Sequence, residues 1–108
     1  MTERMLHHEV TRGRGWIYGD PIEGYILTRK DGDMVDIIRL GVTKGSQGKG
    51  IGKTLLELAL FGASDVLLTV KKTNLPAIKL YQKYGFIIVA HLQGANSWVM
   101  RFQRVYSA

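Results

Sequence analysis

The stretch Ile37–Lys53, IIRLGVTKGSQGKGIGK, decides how the rest of the chain is read. An apolar run gives way to glycines at 45, 48, 50 and 52, and an amphipathic pattern opens near Ile51. Glycine lacks the side chain that would keep a ligand's phosphates off the backbone. A helix start aims unpaired N–H groups and its positive dipole end at the same place. These residues describe an anion cradle, with a pyrophosphate as its best-suited occupant.

On the N-terminal side of the cradle, Met34 to Thr43 reads as a strand. Its centre, Val35-Asp36-Ile37-Ile38, is apolar on both sides of one acid, which predicts burial on two faces. Glu23 to Lys30 reads as the preceding strand, joined through the hairpin signal Asp31-Gly32. Gly15 to Tyr18 is a short aromatic strand turned by Gly19-Asp20-Pro21. Residues 1–13 lack clear periodicity and read as an arm or a strand remnant.

On the C-terminal side, Ile51 to Phe61 reads as a helix with Ile51, Leu55, Leu58 and Ala59 as its core stripe and Gly62 as its stop. Val66 to Val70 is a short apolar run, hence a central strand. Asn74 caps a second helix that tolerates Pro76 in its first turn. Ala77, Ile78, Leu80, Tyr81 and Tyr84 supply its apolar surface, and Gly85 ends it. Phe86 to Leu92 and Ser97 to Val105 are strands joined by the turn Gln93-Gly94-Ala95-Asn96, with Trp98, Met100 and Phe102 on one face. The order β-β-β-α-β-α-β-β predicts an α/β (α+β) fold, a mixed, mostly antiparallel sheet of about six strands with two main helices.

With 108 residues, the chain makes one domain, and 45% hydrophobic residues suffice for a core. The absence of cysteine excludes disulfides, thiolate metal sites and a cysteine nucleophile, and fits a reducing compartment. His7 and His8 are adjacent, so they cannot share a face, and no third ligand follows at metal spacing; no metal is expected. No segment approaches the roughly 20 apolar residues of a membrane span, and the N-terminus does not read as a signal peptide. The expected location is the cytoplasm. Fifteen basic and nine acidic residues give a net charge of +6, which favours an anionic partner or simply solubility. Arg12 and Arg14 lie among glycines, but there is no long basic run and no aromatic-basic alternation, so charge alone does not make a nucleic-acid binder.

Three phosphate-binding loops can be tested against the cradle. A P-loop would need glycine at 47, where Gln47 stands, and a dinucleotide fingerprint would need glycine at 53, where Lys53 stands. The run Gln47-Gly48-Lys49-Gly50-Ile51-Gly52 fits Q/R-x-x-G-x-G/A completely, and here the sequence resembles the GNAT superfamily of N-acetyltransferases. The later block Asn74-x-x-Ala77-x-x-Leu80-Tyr81-x-Lys83-x-Gly85-Phe86 is similar to a second signature of that family. Together the blocks carry the resemblance over residues 15–105.

The resemblance implies acetyl-CoA as cofactor, its pyrophosphate held by the backbone of Gln47, Gly48, Lys49, Gly50, Ile51, Gly52 and Lys53. It implies that the strand ending at Val42 splays from the Val66–Val70 strand, so that pantetheine can pair with the edge of Leu40, Gly41 and Val42. The N–H of Val42 would then polarise the thioester carbonyl. Lys49, Lys53 and the more distant Lys44 either add charge or are solvated lysines. Tyr81 matches the tyrosine that protonates the departing thiolate in many relatives, although an aromatic residue on that stripe also serves packing. Tyr84 reads as packing. Asn74 matches a cofactor-contacting position and has a sufficient task as a cap.

Asp36 stands where some relatives carry a general-base glutamate. Burial between Val35, Ile37 and Ile38 would raise its pKa, and pairing with Arg29 or Arg39 is the alternative. Glu23 is a second candidate base. Relatives usually begin with a strand and two helices that wall the acceptor side, and only about a dozen residues precede the meander here. Most of that wall is therefore expected to be missing.

The sequence therefore reads as an N-acetyltransferase (EC 2.3.1 class) acting on a small-molecule or protein amine by direct attack in a ternary complex. The alternative is a non-catalytic acyl-CoA-binding or regulatory module. Apolar surface left by the missing wall allows a homodimer.

Overall fold

The meander is built from alternating residues that put one row of side chains under a helix and the next row on the other face of the sheet. The computed structural model describes residues 5–10 and 13–104, the first of these segments by its backbone alone. The strands are β1 (Met5–Val10), β2 (Gly13–Tyr18), β3 (Gly24–Asp31), β4 (Met34–Val42), β5 (Asp65–Lys71), β6 (Ile87–Leu92) and β7 (Ser97–Gln103). Helices α1 (Ile51–Leu60) and α2 (Leu75–Lys83) flank β5 in sequence, and a 3₁₀ turn covers Lys44–Ser46. Seven strands form one sheet in the order β1-β2-β3-β4-β5-β7-β6, with the β4–β5 pair parallel. The extra strand over the expected six is β1, which pairs antiparallel with β2. His7 and His8 lie in it, so their side chains fall outside the described residues, as do Arg12 and Val105.

One face of the sheet carries Trp16, Ile26, Val35, Ile37, Leu40, Val42, Val66, Leu68, Val70 and Met100 toward both helices. Ile51, Leu55, Leu56, Ala59 and Leu60 of α1 close over it, with Leu55, Leu56, Ile26, Val66 and Met100 fully buried. Leu58, expected on this stripe, is half-buried, and Leu56 takes its place. The helix ends one residue early because Phe61 leaves the helical conformation and points outward, 89% exposed. Arg104 then closes its C-terminal end, donating from Nε to the Ala63 carbonyl and from Nη2 to the Leu60 carbonyl, each at 3.1 Å. A cation at this end also complements the helix dipole.

Two local expectations shift. The β3–β4 loop is Gly32–Asp33, because Asp31 already pairs with Met34. β4 is not buried on two faces: Ile37 is buried, but Ile38 is 46% exposed and Asp36 half-buried. Alternation turns Asp36 and Ile38 away from the core side of Ile37, onto a face that no described helix covers. A bulge follows. Leu27 pairs with Arg39 and Thr28 with Ile37, leaving Ile38 without an opposite residue. Inward positions therefore change from Val35 and Ile37 to Leu40 and Val42, and bulges redirect a strand in this way. The face opposite the helices carries Leu27, Arg29, Asp36, Leu67, Thr69 and Val99, and neither described helix covers it. Among the described residues, no helix is long and apolar enough to cross a membrane.

Candidate functional site

β4 and β5 run side by side only from Met34↔Asp65 to Ile37↔Leu68. Past that point Ile38–Val42 and Thr69–Lys71 have no ladder between them, and the sheet opens into a split. The bulge at Ile38 sits at its apex. Val42 lies at the mouth, where Thr43 N–H donates to the Glu23 carbonyl of the β3 side at 2.8 Å. Because successive peptide groups in a strand alternate in direction, the N–H and carbonyl of Val42 face the split. The Gln47 side-chain amide meets that carbonyl in a long contact of 3.4 Å.

The glycine loop follows. Gly48 (φ 85°) and Gly50 (φ 80°) occupy the left-handed region that disfavours other residues, so their first requirement is conformational. A side chain at either would point into open space. Gly50 is the N-cap of α1 and contributes no side-chain cap, leaving the first helical N–H groups to an outside acceptor. Gly52 differs. A methyl group there would stand 3.7 Å from Val42 Cγ2 and 3.9 Å from Leu80 Cδ2, at ordinary contact distance. The start of α1, the end of β4 and the middle of α2 therefore converge on the mouth of the split.

The loop is moored from below by Glu23, whose Oε1 accepts from Ser46 Oγ at 3.0 Å and lies 3.6 Å from Lys49 Nζ. This engagement makes Glu23 a tether for the loop, a role its isolated position in the sequence does not signal. Tyr25 is a second residue missed by sequence reasoning. Its ring lies across Gly41, where an added methyl group would come within 2.6 Å of Tyr25 Cε1. Lys53 and Lys44 are exposed.

On α2, Tyr81 is buried and its ring stands 5.7 Å from that of Phe86. Burial raises its pKa above the ordinary 10.0, because removal from water penalises the phenolate. Tyr84 is raised too, by burial first and then by the charge of Glu57 and its hydrogen bond to that carboxylate. Glu57 lies on α1, so its influence on Tyr84 places the C-cap of α2 beside α1, in keeping with a packing role. Asn74 caps α2, its Oδ1 accepting from Ala77 N–H at 3.3 Å.

Asp36 is not enclosed between apolar neighbours but lines a cavity of about 330 Å³ on the helix-free face, together with Arg29, Ile38 and Thr69. Among the described residues, no ion pair joins it to Arg29 or Arg39. A larger cavity of about 840 Å³ lies near the C-terminal end of α1, around Trp16, Val35, Leu58 and Phe61, and contains none of the loop residues.

Residues 11–88 match the model of the acetyltransferase (GNAT) domain. The chain belongs to this family. It is 36% identical over 61 residues to a mycothiol acetyltransferase of Catenulispora acidiphila, a match covering 52% of this chain and 19% of that protein. The chain thus spans a small part of that relative. Among solved structures, the ribosomal-protein-S18-alanine N-acetyltransferase from Escherichia coli superposes with a TM-score of 0.79 at 18% identity, over 93% of this chain and 74% of that one. A Bacillus subtilis acetyltransferase in complex with CoA gives 0.77 at 21% identity, over 96% and 100%. These two likenesses bear on the GNAT fold, and the sheet and helix order described above agree with it.

Proposed function

We propose that this GNAT domain transfers an acetyl group from acetyl-CoA to a primary amine by direct attack in a ternary complex. The observation that carries the reading is the parting of β4 and β5 after Ile37 and Leu68, with the glycine loop and the start of α1 at its mouth. Acetyl-CoA supplies an acyl thioester, whose carbon an amine can attack. In this reading the backbone from Gln47 to Lys53 holds the pyrophosphate and the edge Leu40–Val42 pairs with the pantetheine amides. The Val42 N–H stabilises charge developing on the thioester carbonyl, and Tyr81 gives its phenolic proton to the departing thiolate. Asp36, on the helix-free side, removes the proton of the incoming ammonium. Asn74 contacts the cofactor in addition to capping α2. We assign the protein to the cytoplasm.

Gly52 tests the cofactor half. Replacing it with alanine meets no close protein atom, so Gly52→Ala is expected to hold or raise folding stability by up to about 1 kcal/mol. The same methyl group stands at the mouth and is expected to weaken acetyl-CoA binding about tenfold in calorimetry. Unchanged affinity would move the coenzyme out of the split.

The uncovered sheet face supports a second reading, an acyl-CoA-binding module without transfer. It also presents Leu27 and Ile38, 38% and 46% exposed, for a homodimer. Light scattering that finds a monomer at high micromolar concentration would remove the dimer.

A further inference from the structure

The cavity on the helix-free face carries information about the acceptor. Arg29 and Asp36 are opposite residues in the β3–β4 register, so their side chains rise from the same face as cross-strand neighbours. Neighbouring opposite charges on a sheet face would ordinarily close, and on this face a diagonal pair does: Arg101, opposite Leu67, holds Asp65 through Nε at 2.9 Å and Nη2 at 2.6 Å. Arg29 and Asp36 form no ion pair among the described residues, and both line the cavity. Ile38, Leu67 and Val99 give the same cavity an apolar part, and Thr69 adds a hydroxyl beyond the last paired rung of the split.

An acid and a guanidinium left open beside the apolar part of one cavity suit a ligand that carries both charges itself. We infer that the acceptor is a zwitterionic, α-amino-acid-like amine with an apolar side chain. Its ammonium sits on Asp36, its carboxylate on Arg29, and its side chain on Ile38, Leu67 and Val99. The planar guanidinium matches a carboxylate through two parallel hydrogen bonds. A polyamine would bring further positive charge beside Arg29, and a peptide N-terminus has no carboxylate to offer it. This inference rests on the transferase reading for the role of the pocket, but its ligand class can be tested separately.

The test compares L-leucine, leucinamide and 3-methylbutylamine, which share a side chain and differ in the anionic group. Binding to the CoA-loaded protein is read by calorimetry, and thiol release from acetyl-CoA is read with each amine. Leucine is expected to exceed both analogues by about tenfold or more in kcat/KM, because a site built for a charged group rejects ligands that lack it. Arg29→Gln is expected to raise the leucine KM about tenfold, leave 3-methylbutylamine within about twofold, and be partly rescued by Arg29→Lys. Equal use of the three amines, or an equal loss on all three in Arg29→Gln, overturns the inference. Thiol release with peptides or polyamines but not leucine overturns it and leaves the transferase standing. Leucine binding that vanishes in Arg29→Gln, without thiol release on any acceptor, retains the ligand class and overturns the transferase. Neither binding nor release overturns both.

Discussion

Tyr81→Phe is expected to lower turnover about 10²-fold while acetyl-CoA affinity changes less than about threefold. The substitution removes one hydroxyl and keeps the ring that packs 5.7 Å from Phe86, so the fold and the cofactor groove remain. In the proposed function, what is lost is the proton donor at the leaving group, an interaction made as the thiolate departs. Burial favours the neutral phenol and raises its pKa, so the donor keeps its proton past the ordinary 10.0. The alkaline fall in kcat assigned to Tyr81 is therefore expected above pH 10. By linkage, the folded state holds this proton longer than the unfolded chain, so stability from this group is complete below about pH 10 and declines above it. A Tyr81→Phe protein with wild-type kcat would remove the acid role.

Phe86→Ala is expected to destabilise the fold by about 3–5 kcal/mol, read as a lower denaturant midpoint with an unchanged slope. Phe86 is 2% exposed and its ring is contacted by Tyr81 at 5.7 Å and Phe102 at 5.6 Å. Removing it empties the junction at which the end of α2 meets β7. Such a loss is large against the 5–15 kcal/mol total of a typical domain. A cost below about 1 kcal/mol would mean that this junction is not part of the cooperative core.

The parts of the molecule that were legible in sequence have local causes. The glycine loop needs left-handed residues, and Gly48 and Gly50 supply them. Asn74 and Gly85 mark the two ends of α2 because a cap and a left-handed stop act on neighbouring backbone. The strands follow from alternation, with ends shifted by a residue or two. The split was anticipated from resemblance rather than from residue chemistry, and the ladder does end at Ile37 and Leu68.

What escaped depends on distant partners. The bulge at Ile38 is a mismatch between two strands, so it is invisible in β4 alone, and the exposure of Ile38 and half-burial of Asp36 depend on which sheet face the helices cover. The mooring of Ser46 by Glu23 spans 23 positions, and the closure of α1 by Arg104 spans 41 and 44. Arg29 and Asp36 could be foreseen as neighbours, but their failure to pair is a matter of side-chain placement.

The most direct test of the central claim is thiol release from acetyl-CoA by the wild-type chain against a panel of amino acids, peptides and polyamines, with calorimetry of acetyl-CoA alongside. Saturable acetyl-CoA binding is expected, with thiol release that requires an amine and yields its N-acetyl product. Tight binding with no release on any amine would contradict transfer and leave an acyl-CoA-binding module.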